Sequence, residues 1–273
     1  MDRRVFLAVG AGAAALLLAG CSSTMGSDNR PKGASAPPVP STTSPSSSPT
    51  PNPTNVSVPL QGPPHLTKVA LPSDGITKLP GTGPLMAWTV DDGTNAEVIR
   101  KYAEFAAATG TRITFFLNGD NPGWTEHAAL LRPLVASGQI QLGNHTWDHP
   151  NLTKLNDSQV VAELQRNHDF ILATYGVDAR PYFRPPYGFL NARVRRLAAS
   201  IGYTTPVLWY GTLSDSGLIT PDQVVSFATQ WFLPGHIVLG HANHLPVTTV
   251  FPQLSAIIQE RGLQTVTLRD VFL

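Results

Sequence analysis

Leu85-Met86-Ala87-Trp88-Thr89-Val90-Asp91-Asp92-Gly93 is a near-continuous apolar run that stops abruptly at two carboxylates and a glycine. An unbroken apolar run of this length reads as a strand buried on both faces, the kind found in parallel sheets. Short apolar runs recur at 112–117, 140–142, 182–183, 204–209, 237–239 and 265–268. Helical patterns fall between them, near 94–109, 125–137, 157–175, 190–201, 221–231 and 247–262. The third is the clearest. Asn156 or Asp157 can cap it, Val160, Val161, Leu164, Ile171, Leu172 and Tyr175 line one face, and Gly176 ends it. Strand–helix alternation predicts an α/β fold with a parallel sheet inside and helices outside. Seven repeats favour a closed or nearly closed barrel, with a doubly wound sheet as the alternative. Ahead of the first long strand, 66–71 and 76–79 flank Pro72-Ser73-Asp74-Gly75 and read as a small hairpin.

The reactive side chains follow these runs. Asp91 and Asp92 follow the first, His145 the third, Arg184 the fourth and His241 the sixth, while Asp215 trails the fifth by a few residues. In a parallel barrel those are the C-terminal strand ends, where chemistry gathers. Adjacent residues leaving a strand point to different sides, so one carboxylate of Asp91-Asp92 can bind a metal while the other stays free. Gly93 permits the tight turn that follows. Taken alone, Asp-Asp-Gly is an ordinary turn. In Asn144-His145-Thr146-Trp147-Asp148-His149-Pro150 the His-x-x-x-His spacing puts two imidazoles on one side of a helical turn. Pro150 prevents that turn from continuing, which points to a loop. One aspartate and two histidines would give a metal three protein ligands and leave positions open, as catalytic sites require.

In Phe183-Arg184-Pro185-Pro186-Tyr187-Gly188 the prolines fix a loop from which a backbone N–H, that of Tyr187, can meet a developing oxyanion. Arg184 can hold a carboxylate by a two-pronged hydrogen bond. His241 ends a buried strand as either a satisfied structural group or a general acid. His65, His127, His168 and His236 read as surface, loop or structural positions, and His244 is a further candidate for the cleft.

The 273-residue chain divides by composition. Residues 1–21 have basic Arg3 and Arg4, an apolar run at 5–19 and the ending Leu18-Ala19-Gly20-Cys21, and read as an export signal. That ending resembles the lipobox of bacterial lipoproteins, in which Cys21 becomes lipidated, and Arg3-Arg4 more weakly resembles a twin-arginine signal. Eleven of the 25 prolines fall in 22–64, a stretch rich in Ser and Thr, which reads as an extended tether. Such a tether spans ~40–100 Å depending on its stiffness. Residues 65–273 form one domain. Cys21 is the only cysteine, so a metal site in that domain has only His, Asp and Glu to use. Beyond residue 21 there are 17 basic and 17 acidic residues, a balance without the electrostatic footprint of a nucleic-acid binder. A neutral polysaccharide partner fits better.

Over residues 80–270 the chain resembles the polysaccharide deacetylases of carbohydrate esterase family four. Thr89-Val90-Asp91-Asp92-Gly93 matches the first family motif, with Val90 where phenylalanine is usual. His145-Thr146-Trp147-Asp148-His149 matches the second, Arg184-Pro185-Pro186-Tyr187 the third and Leu239-Gly240-His241 the fifth. The resemblance implies a distorted (β/α) barrel of about seven parallel strands and a divalent metal, zinc first and cobalt among the alternatives, on Asp92, His145 and His149. It further implies Asp91 as general base, the Tyr187 N–H at the oxyanion, and His241 as general acid. Leu239 and Trp209 are implied as substrate-contacting residues. The fourth motif departs: in Trp209-Tyr210-Gly211-Thr212-Leu213-Ser214-Asp215-Ser216, Ser216 stands where tryptophan is usual. Asp215 keeps its place and is expected to orient Arg184 or tune His241.

The implied activity is removal of N-acetyl groups from N-acetylglucosamine in a cell-wall or extracellular polysaccharide. The enzyme would be a monomer, lipid-anchored on the outer face of the cell membrane. An O-acetyl esterase acting on acetylated xylan, a small-amide hydrolase and a non-catalytic carbohydrate-binding lipoprotein are the alternatives.

Overall fold

Seven parallel strands run in the order β5 (Thr205–Pro206), β4 (Tyr182–Phe183), β3 (Ile140–Asn144), β2 (Ile113–Leu117), β1 (Leu85–Asp92), β7 (Ile237–His241) and β6 (Gly211–Thr212), and β8 (Gln264–Thr265) pairs with β1 off that path. The computed structural model describes residues 64–273. Its elements are β1 Leu85–Asp92, α1 Ala96–Thr109, β2 Ile113–Leu117, α2 Gly123–Glu126, α3 Ala128–Ala136, β3 Ile140–Asn144, α4 Asp157–Tyr175, β4 Tyr182–Phe183 and α5 Ala192–Ser200. They continue with β5 Thr205–Pro206, β6 Gly211–Thr212, α6 Pro221–Trp231, β7 Ile237–His241, α7 Pro246–Thr249, α8 Phe251–Glu260, β8 Gln264–Thr265 and α9 Leu268–Val271. The export signal, Cys21 and nearly all of the tether lie outside the described residues.

Read as a circle, the strand order is sequential, cut only between β5 and β6. A doubly wound sheet would reverse direction at a switch point, so the nearly closed barrel is the right alternative. The cut is spanned by residues 207–210, where the N–H groups of Val207, Leu208 and Tyr210 bond to the carbonyls of Phe183, Ile76 and Ile237. The barrel is therefore curled but distorted.

Two apolar layers result from strand alternation. Trp88, Val90, Ile113, Phe115 and Leu117 pack outward with Tyr102, Phe105 and Phe251 from the helices. Ala87, Phe116, Tyr182, Val207 and Ile237 fill the other layer together with Ile76, Val266 and Val271. Each large side chain buried in these layers contributes ~1.5–3 kcal/mol.

Several boundaries differ from expectation. The Pro72–Gly75 turn forms, but no hairpin does: Val69 bridges Phe272, Ile76 bridges Val207 and Lys78 bridges His236. Only Thr205–Pro206 of the run 204–209 is strand, and Gly211–Thr212 forms a strand of its own. The run 265–268 ends early because Thr267 and Asp270 form a capping box that starts α9. Helices expected at 125–137 and 247–262 are each interrupted, at His127 and Val250. On α4, capped by Asn156, the buried stripe is Val160, Leu164, Asn167, His168, Ile171 and Tyr175, while Leu172 is exposed.

Candidate active site

Register brings the reactive residues to one level. Asp91 pairs with His241 across β1–β7, and Asp92 pairs with Leu117 across β1–β2. Leu117 pairs with Asn144, and Asn144 with Phe183, so His145 and Arg184 each lie one residue beyond the same layer. They border a cleft of about 620 Å³ at the C-terminal strand ends, lined by Asp91, Asp92, His145, His149, Pro185, Tyr187, Gly188, Trp209, Thr212, Ser214, Ser216, Leu239 and His241. Arg184 and Asp215 sit buried behind that wall, and His244 is not part of it. A second cavity of about 400 Å³ includes Arg112 and Asp270, whose charges are spent on a buried pair at 2.6 and 2.8 Å.

The two aspartates do not diverge as strand alternation predicts. Asp92 adopts φ 71°, which turns its side chain back into the cleft that Asp91 already faces. Gly93 follows at φ 101°, and a Cβ there would lie 2.4 Å from the Trp124 indole nitrogen. That indole donates to the Asp92 carbonyl at 2.9 Å, fixing the turn.

The segment from His145 to His149 is a loop without a helical turn. Thr146 and His149 both take left-handed backbone, φ 71° and 65°, and the two imidazole rings meet edge to face at 4.9 Å. All five non-glycine residues with positive φ among those described (Asp92, Thr146, His149, Tyr187 and Ser214) line the cleft or sit between its histidines. Such conformations cost ~1–3 kcal/mol each and persist only where surroundings enforce them. Enforcement here comes from side chains that sequence reasoning missed. Asn118 donates to the His145 and Thr146 carbonyls, and Asn144 accepts the Thr146 N–H at 2.9 Å. Glu163 of α4 accepts the N–H groups of Trp147 and Asp148 at 3.0 and 3.2 Å. Asn167 holds Asn144 in turn at 3.0 Å.

His145 Nδ1 lies 2.7 Å from the Arg184 carbonyl. A carbonyl only accepts, so Nδ1 carries the hydrogen, and the neutral ring presents the Nε2 lone pair to the cleft. That lone pair lies 3.3 Å from Asp92 Oδ1, and His149 Nε2 lies 3.5 Å from the same oxygen. Asp92 Oδ1 is buried and has no hydrogen-bond donor among the described residues. A carboxylate oxygen set against the His145 lone pair, with a His149 ring nitrogen beside the same oxygen, calls for a positive charge between them. Two ligands at ~2.0–2.1 Å from a tetrahedral ion lie roughly 3.3–3.4 Å apart, so the spacing fits a zinc-sized ion. Asp92, His145 and His149 thus form a group that could hold a metal ion.

Charge follows this geometry. With no ion between these groups, a proton on His145 Nε2 would supply the positive charge: burial opposes ionisation of Asp92, but that proton, with smaller help from His241 and Asn243, holds its carboxyl well below the usual carboxylate range. Burial likewise opposes protonation of His145, yet the nearby Asp91 and Asp92 charges raise its pKa. His149 is pushed down by burial and by the charge of His145.

Arg184 is wholly buried and does not grip a carboxylate with two prongs. Nη1 reaches Asp91 Oδ1 at 2.6 Å and Thr89 Oγ1 at 3.0 Å, while Nε and Nη2 go to the Val207 and Leu208 carbonyls. It therefore ties β1 to the segment that spans the barrel's cut. Asp215 pairs with His241 instead: Oδ1 lies 2.9 Å from Nδ1, and Oδ2 accepts the His241 N–H at 3.2 Å. Burial lowers the His241 pKa, but that hydrogen bond and the Asp215 charge outweigh it and raise the value above its ordinary 6.5. Tyr187, at φ 60°, has a backbone N–H with no acceptor among the described residues, and its ring lies 4.6 Å from that of His149. Trp209 and Leu239 both line the cleft.

The sequence profile of the polysaccharide deacetylase family matches residues 78–206. Chitin deacetylase 1 of Cryptococcus neoformans is 34% identical over 49% of this chain, which spans only 26% of that relative. The peptidoglycan-N-acetylglucosamine deacetylase of Bacillus cereus is 26% identical, with 68% of each chain covered. Among solved structures, a deacetylase designated T48 with substrate shows 30% identity, TM-score 0.58 and coverage of 68% of this chain and 89% of its own. A Bacillus anthracis pseudoenzyme of the family shares the fold, at 21% identity, TM-score 0.64 and coverage of 74% and 69%. Motifs, barrel and profile agree that this chain belongs to the polysaccharide deacetylase family.

Proposed function

We propose that this chain is a zinc-dependent hydrolase removing N-acetyl groups from N-acetylglucosamine residues of a cell-wall polysaccharide. The observation that carries the reading is the donorless Asp92 Oδ1 facing Nε2 of His145 and of His149. Asp92, His145 and His149 would hold the ion, which when bound polarises the acetyl carbonyl and makes water a better nucleophile.

The remaining steps belong to side chains. Arg184 occupies Asp91 Oδ1, leaving Oδ2 toward the cleft, 3.5 Å from His145 Nε2. Asp91 takes a proton from the attacking water as its oxygen adds to the acetyl carbon. The Tyr187 N–H stabilises the negative oxygen that develops. His241, oriented through Nδ1 by Asp215, donates from Nε2 to the departing nitrogen as the C–N bond breaks, giving acetate and a free amine.

Export and anchoring through Cys21 are part of the same reading, supported by Leu18-Ala19-Gly20-Cys21 and the tether that follows. The relative named for peptidoglycan favours cell-wall substrate. Purified protein incubated with peptidoglycan, chitin oligomers and acetylated xylan, with acetate and product mass as readouts, tests the bond and the polymer. Release from xylan alone would replace the amidase reading with an esterase, and glycan binding without any release would make the chain a binding protein. Asp91→Asn should keep zinc and lose turnover; full acetate release by that variant would remove Asp91 as base.

A further inference from the structure

Asn243 lies two residues beyond His241 on the loop that leaves β7. Its Nδ2 donates to Asp92 Oδ2 at 2.7 Å. Its Oδ1 accepts both the Thr94 N–H at 3.2 Å and the Thr94 hydroxyl at 2.9 Å. Those two donors fix the orientation of the amide, because a rotated amide would set its NH₂ against Thr94 and its oxygen against a carboxylate. One carboxylate oxygen of Asp92 is thus consumed by a defined donor, and the other is left bare toward the histidines.

We propose that Asn243 is a positioning residue that makes Asp92 a one-oxygen metal ligand and so sets the affinity of the site. The inference rests on the metal reading above. A carboxylate free to turn can chelate an ion through both oxygens, which crowds the site and suits large ions such as calcium. Held by Asn243, Asp92 supplies a single oxygen, and with His145 and His149 it leaves positions open for water and the acetyl oxygen. The Thr94–Asn243–Asp92 chain also joins the loop after β1 to the loop after β7, alongside the Asn95 N–H bonded to the Ala242 carbonyl at 3.2 Å.

The test is Zn²⁺ titration of the chelator-treated full chain against a chromogenic chelator, using wild type, His149→Ala, Asn243→Ala and Thr94→Val. Loss of a partner that orients a metal ligand typically weakens binding ~10–100-fold, and that loss is expected for Asn243→Ala. Thr94→Val removes only the hydroxyl anchor and should show a smaller loss in the same direction. It also keeps the test decisive should Asn243→Ala not fold. Wild-type affinity in a folded Asn243→Ala, or in Thr94→Val where only that variant folds, overturns the inference while leaving the metal reading intact, provided His149→Ala has lost the ion. Equal binding by wild type and His149→Ala overturns the metal reading and the inference with it.

Discussion

Arg184 Nη1 donates to Asp91 Oδ1 at 2.6 Å, with both side chains shut away from water. The pair fixes which carboxylate oxygen faces the cleft, and Phe116 lies beneath the guanidinium at 4.3 Å. A buried charge without its partner is costly, so the pair couples the geometry of the proposed base to stability.

Arg184→Met should therefore lower stability by ~3–5 kcal/mol in urea denaturation. Adding Asp91→Asn should recover part of that loss, since no unpaired carboxylate then remains. Strict additivity of the two changes would show that the pair is not coupled.

The His241–Asp215 pair predicts a pH effect. The His241 pKa is raised above 6.5, so the stability it contributes is full below 6.5 and disappears as pH rises through the raised value. In the proposed role of His241 as donor, proton donation fails over the same rise. Asp215→Asn removes the carboxylate that raises the pKa, and the basic limb of kcat/KM should move to lower pH. An unmoved limb in the measured profile would take His241 out of the donor role.

Metal removal should be visible without substrate. At a zinc concentration about 100 times Kd, binding stabilises by ~2.7 kcal/mol, which for a domain of this size is roughly 5–10 °C in Tm. A chelator should lower Tm by that amount, and zinc should restore it. Asp92→Ala should melt at one temperature in both conditions.

Gly143→Ala should disturb the site from within the barrel. A Cβ at Gly143 would lie 2.5 Å from the Phe116 ring, the ring that supports Arg184. Overpacking of this kind typically costs ~1–3 kcal/mol. Calorimetry should show the lowered Tm, and acetate release should fall along with it as Arg184 shifts against Asp91.

Much of this was legible in the chain. The apolar runs and helical patterns located β1, β2, β3, β7, α1, α4 and α6, because strong periodicity dominates there. The short strand β6 was not legible: Gly211–Thr212 has no apolar pattern and is strand only because Leu239 lies beside it. The hairpin expectation failed for the same reason, since turn chemistry set the turn at Pro72–Gly75 while distant strands claimed its arms. Asn167 and His168 could have been found by extending the α4 stripe from Val160 by seven and eight residues. Their polar side chains hide them from an apolar pattern.

By itself the sequence determined an α/β fold with a parallel sheet and which residues stand at the strand ends, because alternation and apolar runs are local properties. It also supplied the candidate ligand types, since a chain with one cysteine at position 21 leaves only imidazole and carboxylate in the domain. The order of the strands, and with it the barrel over a doubly wound sheet, came from their pairing. Tertiary structure decided how those groups aim. The left-handed turn at Asp92, the φ values of Thr146 and His149, the choice of Asp215 for His241 and the hold of Asn243 on Asp92 are each enforced by contacts from distant segments. Hydrogen-bond geometry between residues up to 151 positions apart leaves no trace in local pattern, and at this site it selects which oxygen stays free.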